Sequence, residues 1–296
     1  MSLHPPRGAS PTGPVTARTS AAERVSVCAL QARPGGFVLP PAGPEQPVTA
    51  SNYAAFKYGD TSALPEYARA LARAIEPLLG EPGAPVFVTS SGYGFAPPAA
   101  AALSGPTTEL LRHSGREFAE FRTARSSVTA ADYATLPPAE RSRALGARHL
   151  SPQVPAGSLR GATVVALDDV IVTGVHEEAL DTALRAAGAA RVLHAYLIDA
   201  SSAAATPEIE ARLNGEAGRD PSALRAVARS PRFTPNSRFL KAVLRLGARE
   251  GGGVLDHLPA DLVRWMQEAA TADRLESIPE LRSGARELLS RTVTAA

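Results

Sequence analysis

Residues 164–176, VVALDDVIVTGVH, constrain the fold more than any other part of this chain. Val164, Val165, Ala166 and Leu167 run without a polar break, the pattern of a parallel strand covered on both faces. Asp168 and Asp169 follow, and Thr173-Gly174 opens a turn before Glu177-Glu178-Ala179-Leu180, where the apolar spacing becomes helical. A strand end therefore feeds a helix N-terminus. Backbone N–H groups there, those of residues 173–176, have no partner within the helix, and the helix dipole favours an anion by about 0.3–1 kcal/mol per charge. Val172, Thr173, Gly174, Val175 and His176 thus read as a phosphate cradle, and two acceptor-only carboxylates beside it suit the vicinal hydroxyls of a ribose. Two capping carboxylates at a loop are the plainer reading of Asp168 and Asp169, but the apolar run ahead and the helix entry behind favour a ligand site. A nucleotide-hydrolase reading of the pair lacks its partner, a Gly-x-x-x-x-Gly-Lys-Ser/Thr loop.

Other parts of the chain repeat the strand–turn–helix alternation. Residues 25–30 and 37–39, flanking Arg33-Pro34-Gly35-Gly36, predict a hairpin leading into the main domain. Leu64, Tyr67, Leu71, Ile75 and Leu78 recur at three- and four-residue steps and predict an amphipathic helix over 63–79, with Asp60, Thr61 or Ser62 as cap. A buried strand over 85–89, a turn at Ser90–Gly94 and a helix over about 97–103, with proline in its first turn, form a second unit. The third runs from Val164 through a helix ending near Gly188 to a strand over 192–198. Repeated units of this kind imply a parallel sheet covered by helices, with ligands at the carboxyl ends of the strands. Beyond about Thr206 helical patterns predominate, around 239–246, 262–266 and 281–289. The expected organisation is a disordered tail over 1–22, rich in proline and glycine, an α/β domain over 23–205 and a helical region over 206–296.

Composition narrows the functional classes. With 44% hydrophobic and 20% charged residues the chain has the make-up of an ordinary globular protein, and no segment approaches the roughly 18 continuous apolar residues of a membrane span. No membrane partner is expected. The net charge is +2, and no block of like charge suggests a nucleic-acid surface. Cys28 is the sole cysteine, which excludes an internal disulfide and a multi-cysteine metal site and points to a reducing cytoplasm. Lys57 and Lys241 are the only lysines.

The residues Asp168-Asp169 with Thr173-Gly174 resemble the signature of the type I phosphoribosyltransferases: an apolar strand, two acidic residues and a short Thr/Gly loop opening a helix. The likeness covers roughly residues 50 to 200. Together with Tyr53-Ala54-Ala55-Phe56-Lys57-Tyr58-Gly59-Asp60, the Thr-Gly-x-His-Glu form is similar to a branch found with tellurite-resistance and stress-response gene clusters. His176 departs from the family, which usually has a small hydroxyl residue there, and this puts the phosphate contact at that position in question. The resemblance implies an α/β, Rossmann-like parallel-sheet core of the phosphoribosyltransferase type, with the N-terminal hairpin and the helical C-terminal region added to it. It also implies binding of 5-phosphoribosyl-1-diphosphate, with Mg²⁺ held through the diphosphate and no dedicated protein metal site. An unidentified acceptor would receive the phosphoribosyl group, and a homodimer is compatible with this reading. A non-catalytic regulatory protein that binds the same ligand or a nucleotide is the alternative.

The resemblance implies roles for further residues. Ser91, Gly92, Tyr93 and Gly94 would receive the diphosphate, glycine letting backbone N–H groups approach it. An ordinary glycine turn is the bland alternative, and a dinucleotide fingerprint fails because Pro97 stands where the third glycine belongs. Between His113 and Leu150 the family carries a flap. Arg112 stands just before this interval, which contains Arg116, Arg122, Arg125, Arg141, Arg143, Arg148 and Tyr133. Most of these arginines read as solvated, and Arg122 and above all Arg125 as anion contacts, since guanidinium forks suit diphosphate oxygens. Asp168, Asp169 and Arg125 are the expected catalytic set. Lys57 reads equally as a solvated lysine or as a ligand contact.

Overall fold

The computed structural model describes residues 23–34, 36–44, 46–80, 83–126, 149–206, 209–213, 220–247 and 253–292. In chain order these form β1 (Glu23–Ala29), β2 (Gln31–Arg33), β3 (Gly36–Val38), α1 (Ala50–Lys57), α2 (Leu64–Ile75), β4 (Val86–Ser90), α3 (Ser104–Arg112), β5 (Phe118–Glu120), β6 (Thr123–Arg125), β7 (Leu150–Pro152), β8 (Thr163–Ile171), α4 (Val175–Ala186) and β9 (Arg191–Asp199). After β9 come α5 (Ile209–Leu213), α6 (Pro221–Ala228), α7 (Ser237–Arg245), α8 (Ala260–Ala272) and α9 (Arg282–Ser290). The central sheet has the order β1-β9-β8-β4-β5, and every neighbouring pair is parallel. The chain therefore has the expected α/β fold.

Strand β8 shows why an unbroken apolar run was needed. Val165 and Leu167 enter the core beneath α2 and α3, while Val164 and Ala166 enter a second cluster with Leu180, Ala183 and Leu184 of α4. Successive side chains point to opposite faces, so a strand covered on both sides has no place for a polar residue until it reaches its end. The connection after β4 leads outward to β5 and the one after β8 leads the other way to β9, so the loops following β4 and β8 diverge. This is the switch point at which open parallel sheets bind ligands.

Several local expectations are revised. The turn at Arg33–Gly36 closes a hairpin, but its arms are β2 and β3, while residues 23–29 pair in parallel with β9 as an edge of the central sheet. The amide of Leu30 continues that pairing by donating to the Asp199 carbonyl. Helix α2 begins after Ala63 with no side-chain cap, and the Asp60 carboxylate instead accepts the Ser62 amide. The helix expected over 97–103 is a 3₁₀ turn at Ala99–Leu103 that leads into α3. Strand β8 continues through both aspartates to Ile171. The expected flap loses its first residues, since Phe118–Glu120 pairs with β4 inside the sheet. Residues 127–148, with Tyr133, Arg141, Arg143 and Arg148, lie outside the described residues, as does the tail 1–22.

Ile209 and Leu213 of α5 join the main core, while α6 to α9 build a separate one around Phe239, Leu240, Val243, Met266 and Leu288, which also takes in Tyr58 and Ala96 from the α/β part. Gly284 lets α9 meet the backbone of α7: a Cβ there would collide with the Leu244 carbonyl. Gly284→Ala is expected to destabilise the protein by about 1–3 kcal/mol, the usual effect of overpacking. Urea unfolding measures this, and an unchanged midpoint would show that the two helices part without loss.

Candidate active site

A cleft enclosing about 290 Å³ opens at the switch point. Its walls are the Ser91–Gly94 loop after β4, Asp168 to Gly174 and His176 after β8, Lys57, Arg125, and Ser237, Arg238, Lys241 and Arg245 of α7. Of the residues selected from sequence, Lys57, Ser91, Gly92, Tyr93, Gly94, Arg125, Asp168, Asp169, Val172, Thr173, Gly174 and His176 all line it, whereas Val175 does not. Arg122 does not line it either: its guanidinium lies 4.3 Å from the centre of the Tyr93 ring and donates to the Tyr93 carbonyl.

The two aspartates face different surroundings. Lys57, at the last turn of α1, donates from Nζ to Asp169 Oδ2 at 2.6 Å, and both side chains are less than a tenth exposed. Lys57 is therefore not solvated: it borders the cleft with its ammonium held by Asp169. Asp168 faces the cleft with 22% of its side chain exposed and accepts the Asp169 amide at 2.8 Å. Burial first, and the neighbouring Asp169 charge second, push its carboxyl up to about 7.

The cradle after β8 has the expected backbone. Gly174 is the N-cap of α4 at φ 73°, a left-handed conformation. A Cβ there would meet open space, so the glycine is required by its φ and not by crowding. Glu177, in the first turn of α4, is buried and holds this end of the helix in place. Its carboxylate accepts Nε and Nη2 of Arg24 from β1, and the Tyr196 hydroxyl from β9. His176 is neutral, because burial, then Arg125 and His194, push its imidazole down to about 3. Its Nε2 is buried without a hydrogen-bond partner among the described residues, and Asp168 at 4.0 Å is too far to supply one.

The loop after β4 is held from both sides. The Tyr93 amide donates to the Thr123 carbonyl and the Arg125 amide to the Tyr93 carbonyl, which joins the loop to β6. A Cβ on Gly92 would lie 2.5 Å from Leu150 of β7. On the other side, buried Asp273 accepts the amides of Phe95 at 2.7 Å and Ala96 at 3.0 Å, and a Cβ on Gly94 would run into its carboxylate. The glycines thus serve close packing of the loop against both neighbours.

Asp273, Glu177 and the cations of α7 were not found from sequence. Asp273 follows a helix and has no local pattern of its own. Arg238, Lys241 and Arg245 look like the solvated stripe of an amphipathic helix, although Lys241 shares the rarity that singled out Lys57. Among the described residues there is no cluster of three or more His, Cys, Asp or Glu side chains that could hold a metal, and no helix long and apolar enough to cross a membrane.

The profile of the PRTase ComF-like family matches residues 43–279, so the chain belongs to that family, and the match extends through α7 and Asp273. No curated protein gives a significant sequence match. Among solved structures, a hypoxanthine phosphoribosyltransferase from Staphylococcus aureus is similar at 13% identity and TM-score 0.32, covering 46% of this chain and 64% of its own. A purine phosphoribosyltransferase from Pyrococcus horikoshii Ot3 is similar at 14% identity and TM-score 0.29, covering 46% of this chain and 81% of its own.

Two measurements check the electrostatics. Lys57→Met is expected to destabilise the protein by about 3–5 kcal/mol, because it strands a buried carboxylate, and Asp169→Asn added to it should recover most of the loss. Additive losses in denaturant melts would rule out the coupling. For Asp168 the folded-state value lies above the unfolded one, so its contribution to stability is fully present below about pH 4 and is lost as pH rises through about 7. Asp168→Asn should therefore make the ligand-free protein more stable at pH 8, while leaving its stability at pH 4 nearly unchanged. Thermal melts at both pH values test the sign.

Proposed function

We propose that this cleft binds 5-phosphoribosyl-1-diphosphate with Mg²⁺ and transfers the phosphoribosyl group to an acceptor, releasing diphosphate. The observation that carries this reading is the meeting, in one cleft, of a left-handed glycine cradle at a helix N-terminus, a cleft-facing aspartate and a second loop pinned on both sides. The cradle would take the 5-phosphate on backbone amides, and His176 Nε2, which has no hydrogen-bond partner among the described residues, fits a ligand atom there. Asp168 would accept the ribose hydroxyls. In the transfer the bond from C1 to the diphosphate oxygen breaks, positive charge develops on the sugar, and an acceptor lone pair forms the new bond to C1. Asp168, in its ionised form, would stabilise that charge, and the loop amides would orient the leaving group. The oxygen donors of Asp168 and of the ligand suit Mg²⁺, which supplies neutralisation of the diphosphate charge when bound.

A regulatory protein that binds the ligand without turnover is the second reading. It is favoured by the Lys57–Asp169 pair, which engages one of the two acidic residues that line the cleft. Release of diphosphate in the presence of a panel of bases separates the two readings.

Asp168→Asn is expected to weaken binding of the Mg²⁺ complex at least tenfold, about 1.4 kcal/mol. Gly174→Val should lose ribose 5-phosphate, since valine resists φ 73°. Calorimetry reads both, and wild-type affinity in both folded variants would refute the assignment.

A further inference from the structure

We propose that Arg238, Lys241 and Arg245 of α7 form a cationic wall that binds the diphosphate end of the ligand. This rests on the phosphoribosyl reading above and extends it to the helical region, whose contribution is otherwise structural. The three residues stand at steps of three and four and so share one helix face, which borders the cleft over about 10 Å of helix at 1.5 Å per residue. The opposite face, with Phe239, Leu240, Val243 and Leu244, is buried in the C-terminal core. Rotation of the wall away from the cleft would expose that apolar face.

The placement selects the diphosphate over the 5-phosphate. The N-terminus of α7 is tied to the β4 side of the cleft: the Ser237 amide donates to the Pro97 carbonyl at 2.8 Å, a few residues after the Ser91–Gly94 loop. Asn236 caps the helix through the Phe239 amide, and its Nδ2 donates to the Lys57 carbonyl at 3.3 Å. Arg238 is oriented by an ion pair with Glu210 at 2.9 Å. The 5-phosphate cradle belongs to β8 and α4 and shares none of these bonds. A diphosphate on the 91–94 loop meets amide dipoles and Arg125 on the β6 side, while α7 adds charge-assisted donors on the other.

The test is calorimetric titration of the full chain with inorganic diphosphate and Mg²⁺, and separately with ribose 5-phosphate. In the Lys241→Gln/Arg245→Gln protein, diphosphate binding is expected to weaken about tenfold or more, and ribose 5-phosphate binding to change by less than about twofold. Lys241→Arg, which keeps the charge, should bind diphosphate within about threefold of wild type. Undiminished diphosphate affinity in the double variant overturns the proposal, as does an equal loss of both ligands or a loss in Lys241→Arg as large as in the double variant. If the wild type binds diphosphate through this wall but does not bind ribose 5-phosphate, the wall stands and the phosphoribosyl reading falls.

Discussion

The buried ion pair between Lys57 and Asp169 is the contact on which the arrangement of this site depends. It ties the end of α1 to the carboxyl end of β8, and both side chains are less than a tenth exposed. A pair of this kind adds little net stability over an apolar pair of the same shape, but losing one partner is severe, so it acts as a register mark. With it in place, the residues after Lys57 turn toward the helical region. Gly59, at φ 107°, brings its backbone against Phe233 and Thr234, where any Cβ would clash.

The cleft therefore lies on the seam between two cores. Tyr58 and Ala96, each next to a segment that borders the cleft, are buried in the helical core. Asp273 and Ser237 reach back to hold the loop after β4. The helical region is thus a wall of the site, with its apolar side providing stability and its cationic side facing the ligand space. Asp168 carries the opposite tension. It is held where burial and a neighbouring charge disfavour its ionised form.

Much of this site was legible in the sequence because its central signature is local. An apolar run, two carboxylates and a Thr-Gly helix entry lie within a few residues, and backbone geometry alone brings them together in β8 and α4. Ser91–Gly94 was legible for the same reason. Other residues depended on distant partners. Lys57 was even between solvent and ligand until β8 supplied Asp169, and Arg122 and Arg125, close in sequence, separated onto the Tyr93 ring and into the cleft. The hairpin arms were misjudged because residues 25–30 suit any edge position, and the choice of β9 as partner is a long-range pairing.

By itself the sequence determined the class of fold and the glycine turn at the entry to α4, since strand and helix periods and a glycine at a helix entry act within one or two turns of chain. Only the tertiary structure decided which face of α7 meets the cleft, that Asp273 caps the loop after β4, and that Asp169, not Asp168, pairs with Lys57. Those outcomes are set by packing between segments far apart in the chain, where burial of apolar surface chooses the face and the charges left at the seam must find partners or a ligand.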